Sequence, residues 1–108
     1  MELIKGTLDA MVLKTLSWGA MHGYGVTRWI RHTTEGALEV DDAALYQALH
    51  RMERRGWVEA EWGVSENNRK AKYYSLTDAG RAQLRAEVRS IRRYVGALFQ
   101  VLEAEGAS

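Results

Sequence analysis

The sequence contains no cysteine and no proline, and phenylalanine occurs once. Without cysteine there are no disulfides and no thiolate metal sites, which fits a reducing, cytoplasmic setting. Without proline, nothing interrupts long helices. No stretch approaches the roughly 20 apolar residues of a membrane span, and no secretory signal pattern opens the chain. The formal net charge is only +1 over 108 residues, so no overall basicity marks a nucleic-acid or membrane partner. The length corresponds to one domain, small enough to gain from association.

The local distribution of charge says more. Arg51, Arg54 and Arg55 cluster, as do Arg69, Lys70 and Lys72. A DNA reader needs a local basic surface rather than a basic whole, although either cluster taken alone also fits a solvated face.

Periodicity orders the chain. Gly19, Gly36 and Gly56 each follow a helical pattern, where positive φ is commonly needed. A first helix is expected from about Thr7 to Trp18, capped by Thr7, with Leu8, Val12, Leu13 and Leu16 as its apolar stripe. A second runs from about Gly23 to Thr33, with Tyr24, Val26 and Ile30 facing inward. A third runs from about Asp42 to Arg55, capped by Asp41 or Asp42. The period then changes. Residues 57–62 read as a half-buried strand with Val58, Ala60 and Trp62 on one side, and Lys72 to Leu76 as a second strand. Residues 63–70 form the polar loop between them. A last helix follows the cap residue Thr77 and continues to about Glu103, and Gly106-Ala107-Ser108 should fray.

The expected fold is mainly α with a small β-hairpin. It is a winged helix-turn-helix over residues 1–76 followed by a long dimerisation helix over 77–108. On the third helix, Leu45, Leu49 and Met52 form the buried stripe. Ala43, Gln47, His50, Arg51 and Arg54 fall on the outer face, which in a helix-turn-helix enters the major groove with its N-terminal part nearest the bases. The small residues Ala43 and Ala44 allow close approach. Gln pairs with adenine edges, and Arg with guanine or phosphate. Tyr46 sits at the shoulder, either donating to a phosphate or packing against the second helix. In the loop, Asn68, Arg69 and Lys70, with Lys72 beyond, suit phosphate or the minor groove. His22, His32 and His50 show no metal-ligand spacing. There is no phosphate loop and no interpretable nucleophile–base pair, so neither an enzyme nor a cofactor is expected.

Leu84, Val88, Ile91, Val95, Leu98 and Leu102 are spaced by 4, 3, 4, 3 and 4 residues, the pattern of a coiled-coil seam. A helix of this length spans about 40 Å and has more apolar stripe than its own domain can cover, which favours a homodimer over intramolecular packing. The effector, if the protein has one, is expected between subunits, with Trp18, Ile91, Tyr94 and Phe99 supplying apolar contact.

Several segments together resemble the PadR family of bacterial transcriptional regulators. They are Gly6-Thr7-Leu8 with Val12-Leu13, His22-Gly23-Tyr24-Gly25-Val26, Leu45 to Glu53, Gly56-Trp57-Val58, and Arg69 to Thr77 with Gly80. The single last helix resembles the compact branch of the family. The resemblance implies a homodimeric repressor on a palindromic operator, in some members released by a phenolic or drug-like compound. It assigns Tyr46, Gln47 and Arg51 to the recognition helix, and Arg69, Lys70 and Lys72 to the wing. Relatives often carry Ser, Thr or Gly where this chain has Ala43 and Ala44. The alternative function is a winged-helix protein–protein adaptor without specific DNA binding, which predicts little salt-dependent affinity for DNA.

Overall fold

The computed structural model describes residues 6–106; the outer residues of the expected domains, and Ala107 and Ser108 of the expected frayed end, lie outside this range. Four helices and three strands follow one another: α1 (Thr7–Leu16), β1 (Met21–His22), α2 (Gly23–Thr33), α3 (Asp42–Arg54), β2 (Val58–Val64), β3 (Lys70–Leu76) and α4 (Asp78–Leu102). This is the winged helix-turn-helix with a C-terminal helix.

Three of the four helices, α2, α3 and α4, begin where a side chain supplies an acceptor for a free N–H group. Asp41 accepts the Ala44 N–H at 3.2 Å, and Thr77 accepts that of Gly80 at 3.0 Å. Helix α2 uses a less common cap: the Gly25 N–H donates to the imidazole Nδ1 of His22 at 3.0 Å. Thr7 is the first residue of α1 rather than its cap, with Gly6 before it at φ 90°. The helix stops at Leu16, two residues short of the expected end.

The core joins Val12, Leu13 and Leu16 of α1, Val26 and Ile30 of α2, and Leu45, Ala48, Leu49 and Met52 of α3. Val58 and Tyr74 close it from the sheet. Two residues expected inside are outside. Tyr24 and Trp62 are each 61% exposed. The inner face of β2 is covered as far as Ala60, but the strand outruns the core and leaves Trp62 beyond its edge.

The sheet has three strands in the order β1-β3-β2, all antiparallel. β1 contributes only Met21 and His22, opposite Tyr74 and Tyr73. The wing is longer than expected: Val64 pairs with Lys70, so Lys70 belongs to the strand and the turn is confined to residues 65–69. There the Asn68 N–H donates to the Ser65 carbonyl at 2.8 Å, with Asn68 at φ 57°.

Helix α4 packs its first half on α1 and β3. Leu84 reaches the core of its own chain, so this first seam position is engaged within the subunit. Val88 and Ile91 are half-buried, and Val95, Leu98 and Leu102 are exposed. Among the described residues, no helix is long and apolar enough to cross a membrane.

The start of α4 is fixed by a close approach. A Cβ on Gly80 would lie 2.0 Å from the Trp57 carbonyl oxygen. Gly80→Ala should therefore lower stability by about 2–3 kcal/mol, measured by denaturant unfolding. Wild-type stability in the variant would show that the helix can shift without loss.

Candidate nucleic-acid interface

Burial of Leu45, Ala48, Leu49 and Met52 decides which face of α3 points out. Gln47, His50 and Arg54 are exposed along that face, with Ala43 at its N-terminal end and Ala44 half-buried beside it. Asp42 lies in the first turn and Arg51 and Arg54 in the last, as the helix dipole favours.

Arg51 lies toward the edge of the outer face, about 40° from Gln47. At about 100° per residue it lies roughly 60° from buried Ala48, close enough to the core edge to reach α1. There it forms an ion pair with Asp9, and the Asp9 side chain is only 17% exposed. Asp9 is the acidic residue in the first turn of α1, so the pair ties α1 to the recognition helix. The helical pattern of α3 alone did not reveal it because the partner is 42 residues away.

Tyr46 leans toward α2. A Cβ on Gly23 would lie 2.7 Å from the Tyr46 hydroxyl oxygen, so glycine at the start of α2 makes room for the ring. The side chain is nevertheless half exposed. It packs on α2, as one of the two readings has it, and remains accessible.

The wing carries its cations against aromatic rings. Lys70 Nζ lies 4.9 Å from the centre of the Trp62 ring, and Lys72 Nζ lies 5.6 Å from that of Tyr74. Lys72 also approaches Glu53 of α3 at 3.4 Å. Burial pushes the Tyr74 hydroxyl above the ordinary tyrosine value of 10.0; Lys72 opposes this, while Glu53 and Tyr46 add to it. Tyr74 is therefore neutral at physiological pH. Asn68 and Arg69 are exposed on the turn.

On α2, Arg28 lies over the ring of Tyr24 at 5.6 Å and faces the wing. Sequence reasoning passed over Arg28 and took Tyr24 and Trp62 for core residues. All three border the space between α2, α3 and the wing.

The residues expected at an effector site do not gather within one subunit. Among the described residues, the ring contact of Trp18 is with Trp29 of α2, at 4.9 Å between centres, and Lys14 covers its face at 4.7 Å. Tyr94 and Phe99 stand exposed on the distal part of α4. No group of three or more metal-ligating side chains occurs among the described residues.

Residues 12–86 match the Transcriptional regulator PadR-like family. The chain belongs to this family. Its PadR-like regulators are DNA-binding proteins rather than enzymes, and a DNA-binding regulatory role follows for this chain. A transcriptional regulator from Clostridium thermocellum superposes with a TM-score of 0.83 at 24% identity, covering 90% of this chain and 94% of that one. A PadR-like transcriptional regulator from Bacillus cereus gives 0.77 at 26% identity, covering 94% and 96%. PadR of Bacillus subtilis, solved in complex with operator DNA, gives 0.68 at 21% identity; the match covers 76% of this chain and 46% of that longer one.

The Asp9–Arg51 pair predicts that Arg51 acts on stability. Arg51→Ala and Asp9→Ala should each destabilise the fold, with a coupling energy of about 1 kcal/mol in a double-mutant cycle. DNA binding-site selection with Arg51→Ala should return the wild-type preference. A changed preference in a fully stable variant would instead give Arg51 back to the bases.

Proposed function

We propose that this protein is a homodimeric, sequence-specific repressor that binds a palindromic operator. The observation that carries this reading is the exposed face of α3 that presents Gln47, His50 and Arg54, on a helix whose Tyr46 and Glu53 reach the cations of the wing. In a winged helix the third helix enters the major groove, and base edges are read there by amide, imidazole and guanidinium groups. Gln47 is the principal base reader in this assignment. Ala43 and Ala44 permit close approach and fit thymine methyls. Lys70, Arg69 and Asn68 hold phosphate, as does Lys72 once it is released from Glu53. The operator complex of the Bacillus subtilis PadR supports operator binding as a mode of action for this fold.

Two copies are required to read two half-sites, and α4 supplies the means. Its distal half exposes Tyr94, Val95, Leu98, Phe99, Val101 and Leu102. Such a face favours association, because covering apolar area stabilises by about 25 cal/mol per Å². Val88, Ile91, Val95 and Leu98 form the centre of the proposed seam, with Leu84 at its inner end and Leu102 at its outer end. A small aromatic effector of such a dimer binds between the subunits, against Ile91, Tyr94 and Phe99 with Trp18 nearby. There one molecule changes the spacing of both recognition helices. It must prefer the DNA-free arrangement to release the operator.

Two experiments test this reading. Wild type should sediment as a dimer, and the Ile91→Asp, Val95→Asp double variant as a monomer or an unfolded chain with weakened operator affinity. A wild-type mass of 12.2 kDa at micromolar concentration would refute the dimer. On a selected operator, Gln47→Ala should lose ~1–3 kcal/mol and discrimination at one position. Lys70→Ala should weaken all duplexes alike and reduce the salt slope by ~1. Retention of the full wild-type preference by Gln47→Ala would remove it from base reading, and absence of salt-dependent DNA affinity in wild type would favour the adaptor role.

A further inference from the structure

Between the start of α2 and the inner face of the wing lies an open groove of about 790 Å³. Its chemistry repeats. Arg28, Arg69, Lys70 and Lys72 line it, and three of these four cations are paired with a flat ring: Arg28 over Tyr24 at 5.6 Å, Lys70 over Trp62 at 4.9 Å, and Lys72 over Tyr74 at 5.6 Å. The Tyr46 ring is at the same surface. Glu66 on the turn is the acidic residue among those lining it.

A fold gains nothing by leaving an indole 61% in water when the same strand buries Val58. Register places Trp62 opposite Lys72, and Val64 opposite Lys70, on the face that carries Val58, Ala60, Tyr74 and Leu76 into the core. The inner face of the wing thus continues past the protein's own core and presents an aromatic surface flanked by ammonium groups. One polymer offers the matching alternation. A nucleic-acid strand sets an anionic phosphate next to the apolar face of each sugar, repeated along the chain.

We infer that this groove grips one sugar–phosphate strand of the operator, with Trp62 packed on a deoxyribose and Arg28 and Lys70 on the neighbouring phosphates. The inference rests on the operator-binding reading and extends it to Trp62, Tyr24 and Arg28, outside both the recognition helix and the wing turn. Tyr24 holds Arg28 as Trp62 holds Lys70. The grip follows backbone shape, so it sets the register of α3 in the groove and does not itself select bases.

The test compares variants on a duplex selected with wild-type protein and on an unrelated duplex, as a function of salt. Trp62→Ala should weaken both duplexes about tenfold while the slope of log K against log salt stays at the wild-type value, because no charge is removed. Trp62→Phe should recover most of the affinity and abolish most of the DNA-induced change in tryptophan emission. Arg28→Ala should reduce the salt slope by about 0.9. Circular dichroism melting should leave each variant folded, since Trp62 and Arg28 are exposed. Wild-type affinity in Trp62→Ala, or an unchanged slope in Arg28→Ala, would overturn the grip. So would a Trp62→Ala variant that lowers the slope as Lys70→Ala does and adds nothing to it in the double variant, because the indole would then only orient the lysine. If wild type itself lacks salt-dependent DNA affinity, the failure belongs to the operator-binding reading.

Discussion

The peptide carbonyl of Trp57 stands where α3, the wing and α4 meet. It accepts the Thr77 N–H at 3.1 Å, and Gly80 packs directly against it. Just before it, the Trp57 N–H donates to the Met52 carbonyl at 2.9 Å, closing the end of α3. The Thr77 hydroxyl donates to the Gly56 carbonyl at 2.6 Å and accepts from the Gly80 N–H. Six backbone groups near a chain reversal are satisfied within a few residues, where an unpaired one would cost about 1–3 kcal/mol if buried. The recognition helix, both wing strands and the long helix therefore have their relative angles set at one place. The candidate interface for DNA is a consequence of this junction as much as of any side chain that faces solvent.

The sequence revealed most where a single residue type meets a local requirement. Thr77 and Asp41 accept the N–H groups that their positions predict. Gly19, Gly36 and Gly56 all adopt positive φ. The bounds of α2 follow from its punctuation, and those of α3 fall within one residue of expectation. What escaped depends on partners distant in the chain. β1 is two residues long, too short for any period, and exists because Tyr73 and Tyr74 lie alongside it. Trp62 follows the alternation that marks a buried strand, but alternation cannot tell how far the core extends beneath it. Tyr24 is at the first turn of α2, where a helix face has not yet met its neighbour.

The candidate interface was legible as an outer helix face and two basic clusters, but not in the contacts that their side chains make. Arg51 and Arg54 are three residues apart and chemically alike, yet one is spent on Asp9 and the other is exposed. Arg28 lies in neither cluster, and the fold brings it to face Lys70 and Lys72. Counting charges along the chain thus shows neither the partner of Arg51 nor the approach of Arg28 to the wing. The wing cations keep company with rings and with Glu53, which restricts their rotamers before any ligand arrives. Holding them in place reduces the ordering entropy that a flexible lysine would lose on contact.

Helix α4 is 25 residues without a proline, rooted at the Trp57 junction. It behaves as a stiff lever about 37 Å long. A tilt of roughly 5° at its root displaces its far end by about 3 Å over that length, so small repacking near one end becomes a sizeable movement at the other. In the proposed dimer the lever works in both directions: substitutions confined to the seam would alter the distance between the two reading heads without altering what either head reads. Spacing and base preference are then separately adjustable traits. A lineage of such regulators could move to operators with a different half-site separation by changing residues of α4 alone, while α3 continues to recognise the same half-site.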